Sequence, residues 1–201
     1  MTAAAPTRLL HYLPIVHTEQ DLGGLGTAVK AHTEARLGAT AWERKQRLTA
    51  QYWARLTRWA MQLPAELGGY RLYQDGLPVC GKEAAIVAEL AEKGSRNHAL
   101  LALLCQRGAT LMGTESPELL LQEYRLAQSL LGHAAPRAAP EPSALLQRRD
   151  AFIAHRIGET LQPGEIGILF IGALHEVAAL LPADIRLDYP LQRDAAEDAA
   201  P

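Results

Sequence analysis

The sequence predicts an α/β fold in which a mostly parallel sheet is flanked by helices. Continuously apolar segments, which are typical of parallel strands covered on both faces, alternate along the chain with longer stretches of helical periodicity. The chain has 201 residues, of which 48% are hydrophobic, enough for the core of one domain. We therefore expect a single α/β domain over residues 1–201, with about four or five strands.

The composition excludes several classes of protein. Twenty basic and 22 acidic residues leave a net charge of −2, which gives no overall basicity for nucleic acid. The apolar runs fall far short of the ~20 residues that a membrane crossing requires, and the N-terminal residues do not have the pattern expected of an export signal. Cys80 and Cys105 are too few for a disulfide scaffold. The sequence predicts a cytoplasmic protein that binds neither nucleic acid nor membrane.

The first two predicted elements are a strand and one long helix. Residues 9–16 form a short apolar run that ends in a polar cluster, as a buried strand does. A glycine-rich turn at 22–26 then opens a helix that extends to about residue 63, where Pro64 ends it. Apolar residues recur along this helix at intervals of three and four, at Leu48, Tyr52, Leu56, Trp59 and Leu63.

A second strand at residues 70–74 ends at Asp75 and Gly76. Two short helices at 82–93 and 95–107 follow, separated by glycine, and a third strand is predicted at 109–112. Pro117 suits the first turn of the next helix, which extends to about residue 131.

The second half of the chain contains the clearest strand. Residues 132–142 hold three prolines among small residues, which predicts an exposed loop. A helix over 143–161, with Ser143 as its N-cap, leads to 166–172 (IGILFIG), a strand predicted at the centre of the sheet. A short helix at 174–181 follows, and the acidic tail 193–201 is expected to fray.

Polar side chains that follow the strands are the first candidates for function, because ligands gather at the carboxyl ends of strands in open α/β sheets. Histidines combined with carboxylates recur in general acid/base sites and in metal sites. His175 is the strongest signal, since Gly172 before it allows close backbone approach; a solvent-exposed histidine is the alternative. The candidates at strand ends are His17, Glu19, Asp75, Glu115 and His175.

The helix over 143–161 carries charge close to its apolar stripe. Arg149 and Arg156 fall within or at one edge of that stripe, and Asp150 falls near the other edge. A buried guanidinium is costly unless it is paired, so each arginine requires a partner. A structural ion pair with a carboxylate and an arginine that faces an anionic ligand both remain open.

Three segments together resemble the closing motif of the TraB/Tiki superfamily. They are residues 149–157 (RDAFIAHRI), the pair 164–165 (GE), and 167–175 (GILFIGALH) with its G-x-x-H ending. That superfamily includes ChaN-like haem-binding proteins and erythromycin-esterase-like hydrolases. His17 and Glu19 loosely match the opening His/Glu segment of the family, and Asp75 stands where members have a strand-end acid.

The resemblance implies a hydrolase-like enzyme, metal-dependent as in the peptidases of the superfamily or metal-independent as in its esterases. The substrate would be a small molecule or a peptide. A divalent metal ion would be held by His17, Glu19, Asp75 and His175, with one position open for water. Without a metal, a histidine and a carboxylate would activate water, with Glu115 in the same site, and Arg149 or Arg156 would stabilise the oxyanion.

The competing hypothesis is a non-catalytic binding or interaction module. Haem is one candidate ligand, with His17, His175 or Tyr73 as the ligand to iron. The basic face of the first long helix is a candidate partner surface. The sequence leaves the substrate open, and with it whether the chain forms a homodimer.

Overall fold

The computed structural model of the protein describes residues 8–16, 26–130 and 141–192, which contain a five-stranded sheet. The strands are β1 Arg8–Ile15, β2 Tyr70–Gln74, β3 Thr110–Met112, β4 Ile166–Gly172 and β5 Ile185–Asp188. Their order across the sheet is β3-β2-β4-β1-β5, and all four pairings are parallel. The predicted α/β fold with a mostly parallel sheet is therefore confirmed.

Six α-helices of the described residues connect and cover these strands. They are α1 Gly26–Leu37, α2 Ala39–Met61, α3 Glu83–Glu92, α4 Arg96–Gln106, α5 Pro117–Leu130 and α6 Pro142–Thr160. A short 3₁₀ helix, Val177–Leu180, lies between β4 and β5. Within the described ranges, none of the helices combines the length and the apolarity needed to span a membrane.

Strand β4 is the centre of the sheet, as its sequence predicts. It pairs with β1 on one side and with β2 on the other, and all of its residues after Ile166 are buried. The continuous apolar run is required because helices cover both faces of this strand.

Successive side chains of a strand point to opposite faces of the sheet, so the apolar residues form two cores, one on each face. On one face, which we call the α2/α4 side, strand residues such as Phe170 pack with Trp53 of α2 and Leu101 of α4. On the opposite face, the α6 side, strand residues such as Leu169 pack with Ile153. The two cores support the sheet from both sides and leave its carboxyl edge to polar residues.

The long helix predicted after the first strand is wrong, because the chain forms two helices there. Gly38 separates α1 from α2 with φ of +79°, a conformation that glycine adopts readily and other residues do not. The predicted stripe on α2 is confirmed for Leu56, which is fully buried, and for Tyr52, Trp59 and Leu63, which pack against the same core, whereas Leu48 is 55% exposed. The spacing of apolar residues alone did not show that one helix ends at Leu37 and a second begins at Ala39.

Strand β5 was not predicted, because it is short and only its first residue is buried. It pairs with the edge of β1, where Arg8 donates two hydrogen bonds to the Asp184 carboxylate at 2.7 and 2.8 Å. The Arg8 guanidinium also donates to the carbonyl oxygen of Leu161 at 2.9 Å. The pairing with β1 and the contacts beside it are long-range in sequence, so no local pattern predicts this strand.

Three further boundaries differ from the sequence-based expectation. The helix predicted at 174–181 is the 3₁₀ helix Val177–Leu180. The predicted loop at 132–142 ends earlier, because α6 begins at Pro142 and Glu141 replaces Ser143 as its N-cap by accepting from the Ala144 N–H. The rest of that loop and the tail 193–201 lie outside the described residues.

Replacement of Phe170 tests the central position of β4. Phe170 is fully buried, so Phe170→Ala is expected to lower the free energy of unfolding by about 3–5 kcal/mol through lost burial and a cavity. Leu174, two residues after the strand, is 81% exposed, and Leu174→Ala is expected to change it by less than about 0.5 kcal/mol. Urea denaturation measures both; equal losses would contradict the assigned burial.

Candidate active site

Asp75 and His175 meet at the carboxyl ends of the neighbouring strands β2 and β4. The Asp75 Oδ2 atom accepts a hydrogen bond from the Gly172 N–H at 2.8 Å and lies 3.4 Å from His175 Nε2. Both side chains are only 5% exposed. The parallel pairing of β2 with β4 brings these residues together although 100 positions separate them.

Asp150 of α6 orients the His175 ring from the other side. One Asp150 carboxylate oxygen is hydrogen-bonded to His175 Nδ1, and the other accepts from the Glu176 N–H at 2.9 Å. The backbone N–H of His175 donates to the Gly172 carbonyl at 3.1 Å, and this hydrogen bond holds the turn after β4. Asp150 therefore fixes both the ring and the backbone that carries it.

The two carboxylates keep His175 protonated at neutral pH. Burial lowers the pKa of a histidine, but hydrogen bonds and charges from Asp75 and Asp150 outweigh it and raise the pKa of His175 to about 9. The ring is therefore an imidazolium that carries a proton on each nitrogen. In this state it is a proton donor and an electrophile.

Arg149, the neighbour of Asp150 on α6, connects the ends of β2 and β3. Its Nε and Nη2 atoms donate to the two oxygens of Glu115 at 2.6 and 2.7 Å. Nη2 also donates to Asp75 Oδ1 at 2.8 Å, and Nη1 donates to Glu123 of α5. The bidentate geometry suits a guanidinium and is not available to lysine.

Arg149 and its three carboxylate partners form a charged cluster whose ion pairs are largely buried. Burial raises the pKa of Glu115, which is completely buried, while Arg149 acts in the opposite direction. Although burial disfavours its charge, the carboxylates of Glu115, Asp75 and Glu123 raise the pKa of Arg149. A charge removed from water at this depth is tolerated only with its partners in place.

The loop after β3 brings Glu115 to this cluster through local backbone contacts. Glu115 Oε1 accepts from the Gly76 N–H at 2.7 Å, and the Glu115 N–H donates to the Leu77 carbonyl at 3.0 Å. Gly113 allows the approach, because a Cβ atom there would lie 2.7 Å from the Cα atom of Val79. The loops after β2 and β3 are thus joined to each other directly as well as through Arg149.

The structure brings together four of the seven site residues predicted from sequence: Asp75, Glu115, Arg149 and His175. The fifth, Arg156, lies about two turns beyond Arg149 on α6 and donates from Nε to the Gly113 carbonyl at 3.0 Å, against the loop after β3. His17 and Glu19 lie outside the described residues.

Sequence reasoning did not assign Asp150 and Glu123 to the site. The available sequence signal for Asp150 was its position beside Arg149 at the edge of the apolar stripe, and the structure shows that it is buried. Glu123 is an ordinary acidic residue on an amphipathic helix, with a side chain 47% exposed, so no local signal marked it.

Two of the four predicted metal ligands, His17 and Glu19, lie outside the described residues, so the predicted metal site stays a prediction. Of the other two, His175 has a carboxylate beside each ring nitrogen, Asp75 on one side and Asp150 on the other. Within the described part of the chain, no three histidine, cysteine, aspartate or glutamate side chains form a group able to hold a metal ion. Tyr73 is fully buried, and its hydroxyl is 2.9 Å from Thr160 Oγ1.

Comparisons with protein-family models, with curated proteins and with solved structures find no match to this chain. The resemblance to the TraB/Tiki superfamily therefore stays a prediction.

Replacement of Arg149 tests the cluster. Arg149→Met leaves Asp75 and Glu115 buried without their cation, and is expected to lower the free energy of unfolding by about 3–5 kcal/mol in urea denaturation. Arg148, the exposed neighbour on α6, is the matched control, and Arg148→Met is expected to cost less than about 0.5 kcal/mol. Similar losses in the two variants would show that the buried pairing is not formed.

The raised pKa of His175 predicts a stability that falls with rising pH. The folded protein retains the proton up to a pKa of about 9, whereas the unfolded chain loses it near 6.5. The contribution of this proton to the free energy of unfolding is complete below pH 6.5. It is lost between pH 6.5 and about 9, at no more than about 1.4 kcal/mol per unit of pH.

His175→Gln is expected to remove this part of the pH dependence, measured as the difference between variant and parent in urea denaturation across that window. His155, whose side chain is 70% exposed on α6, is the control. His155→Gln is expected to retain the parental slope. A parental slope in His175→Gln would place the titrating group elsewhere.

Proposed function

We propose that this protein is a hydrolase-like enzyme that uses a histidine–carboxylate pair at the carboxyl edge of its sheet. The observation that carries the proposal is the meeting of Asp75 with the His175 imidazolium at the ends of two neighbouring strands. Open α/β sheets place their ligands at this edge, and buried groups with shifted pKa values cluster at functional sites. The substrate would be a small molecule or a peptide.

His175 is the proton donor in this proposal. Its Nε2 atom is 3.4 Å from Asp75 Oδ2, longer than the usual hydrogen bond of about 2.9 Å, so a substrate atom that approached more closely would be the better acceptor for this proton. Asp150, on the opposite ring nitrogen, fixes the orientation of the imidazolium, as a third group does in many acid/base sites. His175 would protonate the leaving group or stabilise the negative charge that develops on the substrate oxygen.

Asp75 is the complementary base. Its carboxylate faces the acid, so water held between substrate and Asp75 would be activated while His175 supplies the proton. Arg149 and the Gly172 N–H hold the Asp75 oxygens in place. Arg149 is therefore a positioning residue in this mechanism, because its guanidinium is already engaged by carboxylates and is not free to bind an oxyanion.

The resemblance to the TraB/Tiki superfamily supports the same reaction class, and metal-independent esterases are among its members. The acid and base named above require no metal ion. A metal-dependent reaction would rest on His17 and Glu19, which is a separate prediction. The free cysteines Cys80 and Cys105 agree with a reducing compartment such as the cytoplasm.

The test is hydrolysis of a panel of chromogenic esters and peptide amides, assayed with a chelator and with added divalent metal ions. His175→Gln and Asp75→Asn are expected to lower kcat/KM by about 10²–10⁴-fold, the contribution of a positioned acid or base. The parent rate is expected to fall as pH rises through about 9, where His175 loses its proton.

His155→Gln, on the exposed face of α6, is the control and is expected to retain the parental rate. Circular dichroism of each variant separates loss of chemistry from loss of fold. Absence of hydrolysis over the whole panel, with a haem absorption band in the purified protein, would overturn the proposal in favour of the binding module.

A further inference from the structure

A groove lies between α2 and α4 on the α2/α4 side of the sheet, and we call it the α2/α4 groove. It has a volume of about 580 Å³, within the range of roughly 300–1,000 Å³ that is usual for binding pockets. Its apolar lining includes Trp53, Leu100 and Leu103. Two exposed arginines, Arg58 of α2 and Arg96 of α4, line it as well.

The α2/α4 groove is positively charged. Among the described residues, neither Arg58 nor Arg96 forms an ion pair with a carboxylate. Helix α2 has five basic residues and one acidic residue, and α4 has no acidic residue. Arg96 also stands in the first turn of α4, where the helix dipole adds positive charge. The groove therefore favours an occupant that combines carboxylates with small apolar side chains.

The last described residues of the chain lie against α2, one of the two helices that form this groove. Leu191 packs in the core of the α2/α4 side, and its carbonyl oxygen accepts a hydrogen bond from Arg55 Nη2 at 3.1 Å. Around the helix, at about 100° per residue, Arg58 lies between Arg55 and Thr57, which lines the groove. The chain thus leaves the described structure at Gln192, next to the basic surface of α2.

Residues 193–201 have the composition that the groove favours. Their sequence, RDAAEDAAP, places three acidic residues among four alanines. Nine extended residues reach about 30 Å. Arg55 and Arg58 are neighbours on the surface of α2, with Cβ atoms about 5–6 Å apart, and the axes of packed helices are about 8–10 Å apart. The segment is therefore long enough to enter the groove and to reach both helices.

We propose that residues 193–201 dock in the α2/α4 groove as an intramolecular ligand. Their carboxylates would pair with Arg58 and Arg96, and their alanine methyl groups would cover the apolar lining. The attachment at Leu191 favours this docking, because a tethered segment has a high effective concentration at its site. The sequence alone predicts that this segment frays, whereas the groove supplies partners that no local pattern shows. The inference is independent of the proposed function, because the groove residues are not part of the acid/base site.

Ala99, an exposed residue of the groove, is the position for a reporter. In Ala99→Cys, the rate of alkylation by N-ethylmaleimide is measured at each cysteine by peptide mass spectrometry. Neutralising the segment is expected to increase the rate at position 99 several-fold, because the groove loses its cover. The neutralising changes are Asp194→Asn, Glu197→Gln and Asp198→Asn.

The two native cysteines are internal controls in the same measurement. Cys80 is exposed and does not line the groove, so its rate is expected to stay the same. Cys105 is half-buried, and its slow alkylation shows that each variant keeps its fold.

Two arginine variants with the same reporter separate the groove from the general charge of α2. In Arg58→Gln the groove has already lost a partner, so neutralising the segment is expected to add little to the rate. In Arg44→Gln, a change of an exposed residue of α2 outside the groove, the full several-fold increase is expected. Comparing increases within each background cancels the direct effect of either arginine on the reactivity of the thiol.

The outcomes separate the possible occupants of the groove. Protection that does not depend on protein concentration, and that requires the carboxylates and Arg58, is the expected result. Equal rates with the acidic and the neutralised segment would overturn the proposal and leave the groove open to another partner. Protection that falls on dilution would place the segment of a second copy there and would overturn the intramolecular docking.

Discussion

The buried pairing of Arg149 with the carboxylates of Asp75 and Glu115 is the constraint on which the carboxyl edge depends. One guanidinium on α6 reaches the loops after β2 and β3, and a further hydrogen bond reaches Glu123 on α5. Three separate segments are thereby held in one arrangement. The pairing is obligatory because each of these charges, withdrawn from water alone, would cost several kcal/mol.

That arrangement determines the chemistry of His175. Arg149 holds one oxygen of Asp75, which leaves the other toward the imidazole, and Asp150 occupies the opposite ring nitrogen. Adjacent positions on α6 therefore hold different partners: Arg149 binds the carboxylates of Asp75 and Glu115, and Asp150 binds the His175 ring. The raised pKa is a consequence of this geometry, since a buried imidazole without carboxylates would lose its proton more easily than one in water.

The two faces of the sheet carry different polar groups at the carboxyl edge. Charged groups converge on the α6 side, where apolar packing of Ile153 and Ile157 fixes the helix that delivers them. On the α2/α4 side the buried amides of Gln74 and Asn97 lie above an apolar core.

The sequence by itself determined the alternation of strands and helices, the central strand IGILFIG and the residues at the strand ends. Each follows from local rules: an apolar run covered on both faces, glycine or proline at an end, and a shared edge for parallel strands. The partners of those residues were decided only by tertiary structure. Asp150 pairs with His175 and not with an arginine, and β5 pairs in parallel with β1 beside the ion pair of Arg8 with Asp184. Such choices depend on how the elements pack in three dimensions, and no spacing along the chain encodes the distance between them.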